Sequence, residues 1–160
     1  MPINKGDAIP DVKLVKATAD GPVPVQSRDY FAGKKIALFS VPGAFTPTCS
    51  AKHLPGFAEK ADDIKGKGVD EIVCTAVNDA FVLEAWNERD GSGDVTMLAD
   101  GNGEFAQALD LVMDGSGFGL GQRGQRWSMI VDDGTVTQIN VEKPGDFSVS
   151  SADHLLEQLG

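Results

Sequence analysis

Cysteine is nearly absent from this chain: 160 residues carry only two, Cys49 and Cys74. So sparse a set excludes a disulfide-stapled secreted mini-domain and points to a reducing compartment, with the cytoplasm as the expected location. Positive charge is short as well. Fourteen Lys and Arg stand against 24 Asp and Glu, a net charge of −10. No basic stripe is then left to offset the phosphates of nucleic acid or an anionic membrane surface. No apolar run approaches the ~20 residues that a membrane-spanning helix requires. Met1 to Asp7 carry neither the apolar core of a secretory signal nor the Arg-rich, acid-poor character of a transit peptide. There are two histidines, His53 and His154, and with Cys74 their spacing fits no common zinc pattern. No metal and no bound cofactor are expected. Repeats and linkers are missing too, so residues 1–160 read as one domain with a sizeable core.

What the chain does have is concentrated in Pro42-Gly43-Ala44-Phe45-Thr46-Pro47-Thr48-Cys49-Ser50, directly after the apolar run Ile36 to Val41. The pattern predicts a buried strand that turns sharply into a helix. Thr46 suits the N-cap, and Pro47 suits the first helical position, where a missing N–H costs nothing. Cys49 then falls third in the helix, among N–H groups with no partner inside it. Those donors and the positive end of the helix dipole favour a thiolate, which makes Cys49 a candidate nucleophile. The Thr46 hydroxyl, one turn earlier, is within reach of the sulfur and can donate or accept. Pro42 and Pro47 bracket the site with rigid apolar surface. Arg123 and Arg126, just before a late strand, supply candidate cations.

Around this stretch the chain alternates strands and helices. Val12–Val15 and Val23–Gln26 predict an N-terminal hairpin, with Pro24 confined to an edge and Ser27 capping a short helical turn through Phe31. After Cys49, the apolar residues Leu54, Phe57, Ala58, Ala61 and Ile64 recur at helical spacing. Pro55 inside that helix predicts a kink, which leaves the Cys49 turn able to unravel on its own. A second buried strand spans Asp70–Val77. Asn78 and Asp79 can cap the next helix, which carries Phe81, Val82, Ala85 and Trp86. A short strand from Val95, a helix from Glu104 to Leu111 and a glycine-rich loop from Gly115 to Gly124 follow. The apolar runs on either side of Asp133-Gly134 predict a late hairpin. Ser150 or Ser151 caps a last helix with Leu155, Leu156 and Leu159 facing inward. The whole reads as α/β: a mixed central β-sheet flanked by helices, with a right-handed crossover carrying the Cys49 helix.

The Pro42–Ser50 motif resembles the active-site stretch of the type II, peroxiredoxin-5-like peroxiredoxins. Further runs agree in order: Lys52-His53-Leu54-Pro55-Gly56-Phe57, Val77-Asn78-Asp79-Ala80-Phe81-Val82, Leu98 to Phe105, Gly119 to Arg123 and Arg126 to Gly134. The resemblance implies a thioredoxin-like fold with an N-terminal β-hairpin extension, and a homodimer. It also implies an enzyme that reduces hydrogen peroxide and alkyl hydroperoxides. By it, Cys49 matches the peroxidatic cysteine, Pro42 and Thr46 the family's proline and threonine, and Arg126 the catalytic arginine; Arg123 does not occupy that position. Cys74 matches the second cysteine of the two-cysteine members. It is then either a resolving partner that forms a Cys49–Cys74 disulfide reduced by thioredoxin, or a core residue. In the latter case glutathione and glutaredoxin recycle Cys49.

Two other functions compete. A disulfide reductase of the Cys-x-x-Cys kind is disfavoured, because Thr46 stands where the first cysteine belongs. A peroxide sensor that relays Cys49 oxidation to a partner protein is the alternative. Gly119-Leu120-Gly121-Gln122-Arg123-Gly124 spells a dinucleotide fingerprint, but a strand follows it, so a pyrophosphate would find no helix terminus. His53, four residues after Cys49, is expected as a polar neighbour near the site entrance. Phe45, Phe81 and Trp86 are expected either in the core or in an exposed patch.

Overall fold

Burial explains which segments become strands. In this computed structural model, which describes residues 1–160, the run at Ile36 forms β3, Lys35–Ser40. The run at Glu71 forms β4, Glu71–Ala76; five of the six residues in each are buried. The two lie parallel, Phe39 opposite Cys74, and β5, Val95–Ala99, joins β4 in parallel. Strands covered on both faces read as continuous apolar runs, which is why these three stand out in the sequence. The hairpin of β8, Trp127–Asp132, and β9, Thr135–Val141, adds antiparallel to β3. Asp133, at φ 48°, and Gly134, at φ 78°, make its turn. The N-terminal hairpin, β1 (Lys13–Lys16) and β2 (Val23–Gln26), pairs antiparallel to β5 through Val15 and Lys16. The result is one seven-stranded mixed sheet in the order β2-β1-β5-β4-β3-β8-β9, with Pro24 on the outermost strand.

Alternate residues of these strands feed two cores. Ala37, Phe39, Ile72, Cys74 and Ala76 face one side. There they meet α2 (Leu54–Glu59), α3 (Ala61–Lys65), α4 (Ala80–Asp90) and α6 (Ala152–Leu159). Ile36, Leu38, Val73, Trp127 and Met129 face the other side, covered by Phe31 of α1 (Ser27–Phe31) and by Phe105 and Leu109 of α5 (Glu104–Leu109). Cys49 and Cys74 thus share the same core, on the helix-rich face.

Several local expectations change. Ser27 does not cap α1. It begins that helix, buried, and its hydroxyl donates to the Pro10 carbonyl (2.6 Å) while accepting from the Val12 N–H (2.8 Å), tying two chain segments instead. Asp79 does cap α4, accepting from the Val82 N–H at 2.8 Å. On α4 the buried face is Ala80, Leu83 and Trp86, and Phe81 stands 71% exposed. Leu111 lies beyond α5, which ends at Asp110 in the left-handed region. The glycine-rich loop is partly ordered: β6 (Val112–Asp114) and β7 (Gln122–Gly124) pair around a 3-10 turn at Ser116–Phe118. Ser151, not Ser150, caps α6. No helix is long and apolar enough to cross a membrane.

Pro55 acts differently from a simple kink. The helical run begins at Pro47 and widens into one π turn, Cys49–His53, whose closing bond runs from the Leu54 N–H to the Cys49 carbonyl. A proline ring collides with the carbonyl four residues earlier and leaves it without a donor. One extra residue in the preceding turn absorbs both effects. The actual break comes later, at Lys60, between α2 and α3. Amide exchange at residues 50–53 should therefore run faster than at residues 57–59, measured by mass spectrometry or NMR. Equal protection in the two segments would contradict an independently opening turn.

Candidate active site

The end of β3 and the end of β4 lie side by side, so the loops leaving them meet above the sheet. That loop after β3 is pinned at three points. The Ala44 N–H donates to the Asn78 side chain (3.0 Å), and Arg123 Nη1 reaches the Pro42 carbonyl (3.5 Å) and the Val77 carbonyl (3.2 Å). The Thr46 hydroxyl donates to the Gly43 carbonyl (2.6 Å). Gly43 fits closely here: a Cβ would lie 3.1 Å from Arg123 Nη1 and 3.3 Å from Thr46 Cγ2, so either side chain would have to shift slightly. Phe45 is held at φ 65° with the Arg89 guanidinium 4.7 Å above its ring. Such backbone strain persists only where the surroundings over-determine it.

Cys49 follows at the head of the helix, in the place the sequence indicates. Its sulfur accepts a hydrogen bond from Arg126 Nη2 at 3.0 Å, across 77 residues of sequence. Thr46, three residues earlier, is half-buried, and with its proton given to Gly43 its hydroxyl oxygen is left to accept. Arg126 also lines a cavity of about 560 Å³ together with Pro42, Thr48, Met113, Phe118 and Lys143. The sulfur itself is fully buried behind that wall. Pro47, expected to screen the site, is exposed and does not line the cavity.

Arg123 proves to be a loop staple. Its guanidinium serves the carbonyls of Leu120, Val77 and Pro42 and does not hydrogen-bond the sulfur. Cys74 lies mid-strand in β4, wholly buried, and both cysteines are free. Burial first, and then the neighbouring Cys49, push the Cys74 thiol well above its ordinary pKa.

His53 departs most from its sequence reading. It is buried completely instead of sitting near an entrance. Its Nδ1 accepts from Arg126 Nη1 (2.8 Å), so the proton resides on Nε2, which donates to the Ser150 carbonyl (2.9 Å). Ser150 in turn gives its N–H (2.9 Å) and hydroxyl (2.6 Å) to Glu142. Burial works against the Glu142 carboxylate, yet the bonds from Ser150, Ser148 and Val149 outweigh it and hold the group ionised below its usual range. The sequence gives no sign of Glu142 and offers Ser150 only as a helix cap; no spacing rule joins residues 53, 142 and 150. No group of three or more His, Cys, Asp or Glu side chains is placed to hold a metal.

A buried cysteine at a helix start, hydrogen-bonded to an arginine on a thioredoxin-like mixed sheet, defines a thiol-based redox protein. The chain belongs to the Redoxin family, whose model matches residues 4–156, and within it to the type II peroxiredoxins. It is 48% identical to Peroxiredoxin-2B of Arabidopsis thaliana over 160 residues, 99% of each chain. It is 50% identical to the chloroplastic Peroxiredoxin-2E-2 of Oryza sativa over 96% of this chain and 71% of that one. The crystal structure of reduced Prx3 from Vibrio vulnificus in complex with hydrogen peroxide superposes with a TM-score of 0.95 at 49% identity, over 99% of both chains.

Burial, and then the Arg126 charge, lower the His53 pKa to about 3. The unfolded chain, near 6.5, takes up a proton in that window while the folded protein does not. Stability is therefore unaffected above pH 6.5 and falls as pH drops below it, by up to about 1.4 kcal/mol per unit. Urea unfolding at pH 7, 6 and 5 should show this loss, and His53→Asn should flatten it. Identical pH dependence in the two proteins would contradict the assignment.

Proposed function

We propose that the protein reduces hydrogen peroxide and alkyl hydroperoxides through Cys49. The observation that carries this reading is the 3.0 Å bond from Arg126 Nη2 to the Cys49 sulfur. The thiolate attacks the hydroxyl-bearing oxygen of the peroxide, forming an S–O bond as the O–O bond breaks. The departing oxygen leaves as hydroxide or alkoxide and takes up a proton, giving water or an alcohol. Cys49 is left as the sulfenic acid. Arg126 stabilises the negative charge as it moves from sulfur to the leaving oxygen, and Thr46 accepts from the peroxide O–H. Pro42 keeps the wall beside Arg126 rigid.

For recycling, the burial and raised pKa of Cys74 favour an external thiol, glutathione with glutaredoxin, over an internal disulfide. An internal disulfide would need Cα atoms within about 7 Å and matched directions, and in this structure both thiols are free and wholly buried. A sensor role, the competing reading, would leave Cys49 oxidised stoichiometrically without turnover.

Peroxide consumption with glutathione and glutaredoxin tests these points together. Cys49→Ser should abolish turnover. Arg126→Ala should lower kcat/KM by about 100-fold or more, as expected for removing a charge-stabilising donor. Cys74→Ser should retain turnover. Intact mass after one equivalent of peroxide plus glutathione should show a glutathione adduct; loss of two hydrogens instead, with an inactive Cys74→Ser, would assign recycling to the disulfide.

A further inference from the structure

We propose that His53 is a positioning residue for the reaction, acting through Arg126 and resting on the peroxidase reading above. An arginine that must present one amino group to a sulfur needs something to hold the other. Here that holder is an imidazole nitrogen, 2.8 Å from Nη1. The choice matters electrostatically. A carboxylate in this place would cancel much of the guanidinium charge, whereas a neutral ring fixes its direction and leaves the full charge facing Cys49.

Asp114, Glu142 and Asp146 line the same cavity as Arg126, yet no carboxylate pairs with its guanidinium. None of the five ion pairs involves it. Glu142, the carboxylate at the far end of the chain of bonds, spends its oxygens on Ser148 and Ser150. Ser150 then passes its carbonyl to His53 Nε2, which selects the tautomer with a bare Nδ1. The imidazole is walled by the rings of Phe39, Phe57 and Phe147, with centroids 4.9, 5.7 and 5.0 Å away. Its rotation is thereby blocked and water excluded. The unbroken sequence Glu142–Ser150–His53–Arg126–Cys49 ties the loop before α6 to the reacting sulfur.

The test uses the full chain in a Cys74→Ser background, with two readouts: kcat/KM for hydrogen peroxide, and the pH dependence of Cys49 alkylation by iodoacetamide. Alkylation needs no peroxidase activity, so it separates failure of this proposal from failure of the peroxidase reading. His53→Leu removes the acceptor and should lower kcat/KM by about tenfold or more, with the alkylation midpoint moved to higher pH. His53→Asn puts an amide oxygen near the Nδ1 position and should recover most of both. On an Arg126→Lys background, His53→Leu should add little further loss, because there is no fork left to aim. Wild-type rate and midpoint in folded His53→Leu overturn the proposal, as does an equal loss on both backgrounds. Should His53→Leu not fold, His53→Asn is compared with His53→Gln, whose amide reaches Ser150 instead. Asn faster than Gln supports the role; equal or reversed rates overturn it.

Discussion

The proposed chemistry depends on one hydrogen bond, from the Arg126 guanidinium to the Cys49 sulfur. A guanidinium directed into a core is costly unless geometry and surrounding bonds are good. Here the helix start supplies the sulfur side and the first residue before β8 supplies the cation. Because β3 and β8 are neighbours, with Ser40 opposite Trp127, the loop leaving β3 and the residue entering β8 are brought together at one end of the sheet. The fold is a device for making those two ends coincide.

Support comes from both sides of that contact. Behind the sulfur, Trp86 of α4 donates its indole N–H to the Ser50 hydroxyl at 2.9 Å, fixing the π turn against the helical layer. Ahead of it, Asn78, Arg123 and Gly43 hold the loop that leads into the helix. The π turn itself reconciles Pro55 with a continuous helix and sets the angle at which Cys49 enters the core. Local backbone adjustment and charge placement serve the same end.

Much of this was legible in the chain. Strands buried on both faces announce themselves as apolar runs, and Ile36–Ser40 and Glu71–Ala76 were readable for that reason. Pro47 opens the helical run and Cys49 is third in it, as Thr46-Pro47-Thr48-Cys49 predicts, although the Thr46 hydroxyl donates to the Gly43 carbonyl and does not cap the helix; the arginine before Trp127 stood out by motif. What stayed hidden depended on distance in sequence. His53 meets Arg126 across 73 residues and Ser150 across 97, so its burial and its neutral state follow from tertiary packing alone. For Phe81 and Trp86 the sequence leaves core and exposed patch both open, and packing divides them: Trp86 is buried and Phe81 is turned outward. Arg123 and Arg126 look alike as residues; the motif singles out Arg126, and the structure shows Arg123 as the staple of the loop.

The most direct test is chemical trapping of the first intermediate. Protein at neutral pH is given one equivalent of hydrogen peroxide in the presence of dimedone, and the adduct is located by peptide mass spectrometry. Labelling of the Cys49 peptide alone, formed promptly and absent in Arg126→Ala under the same exposure, is the result this account requires. Labelling at Cys74, or at Cys49 with the same speed whether or not Arg126 is present, would contradict it.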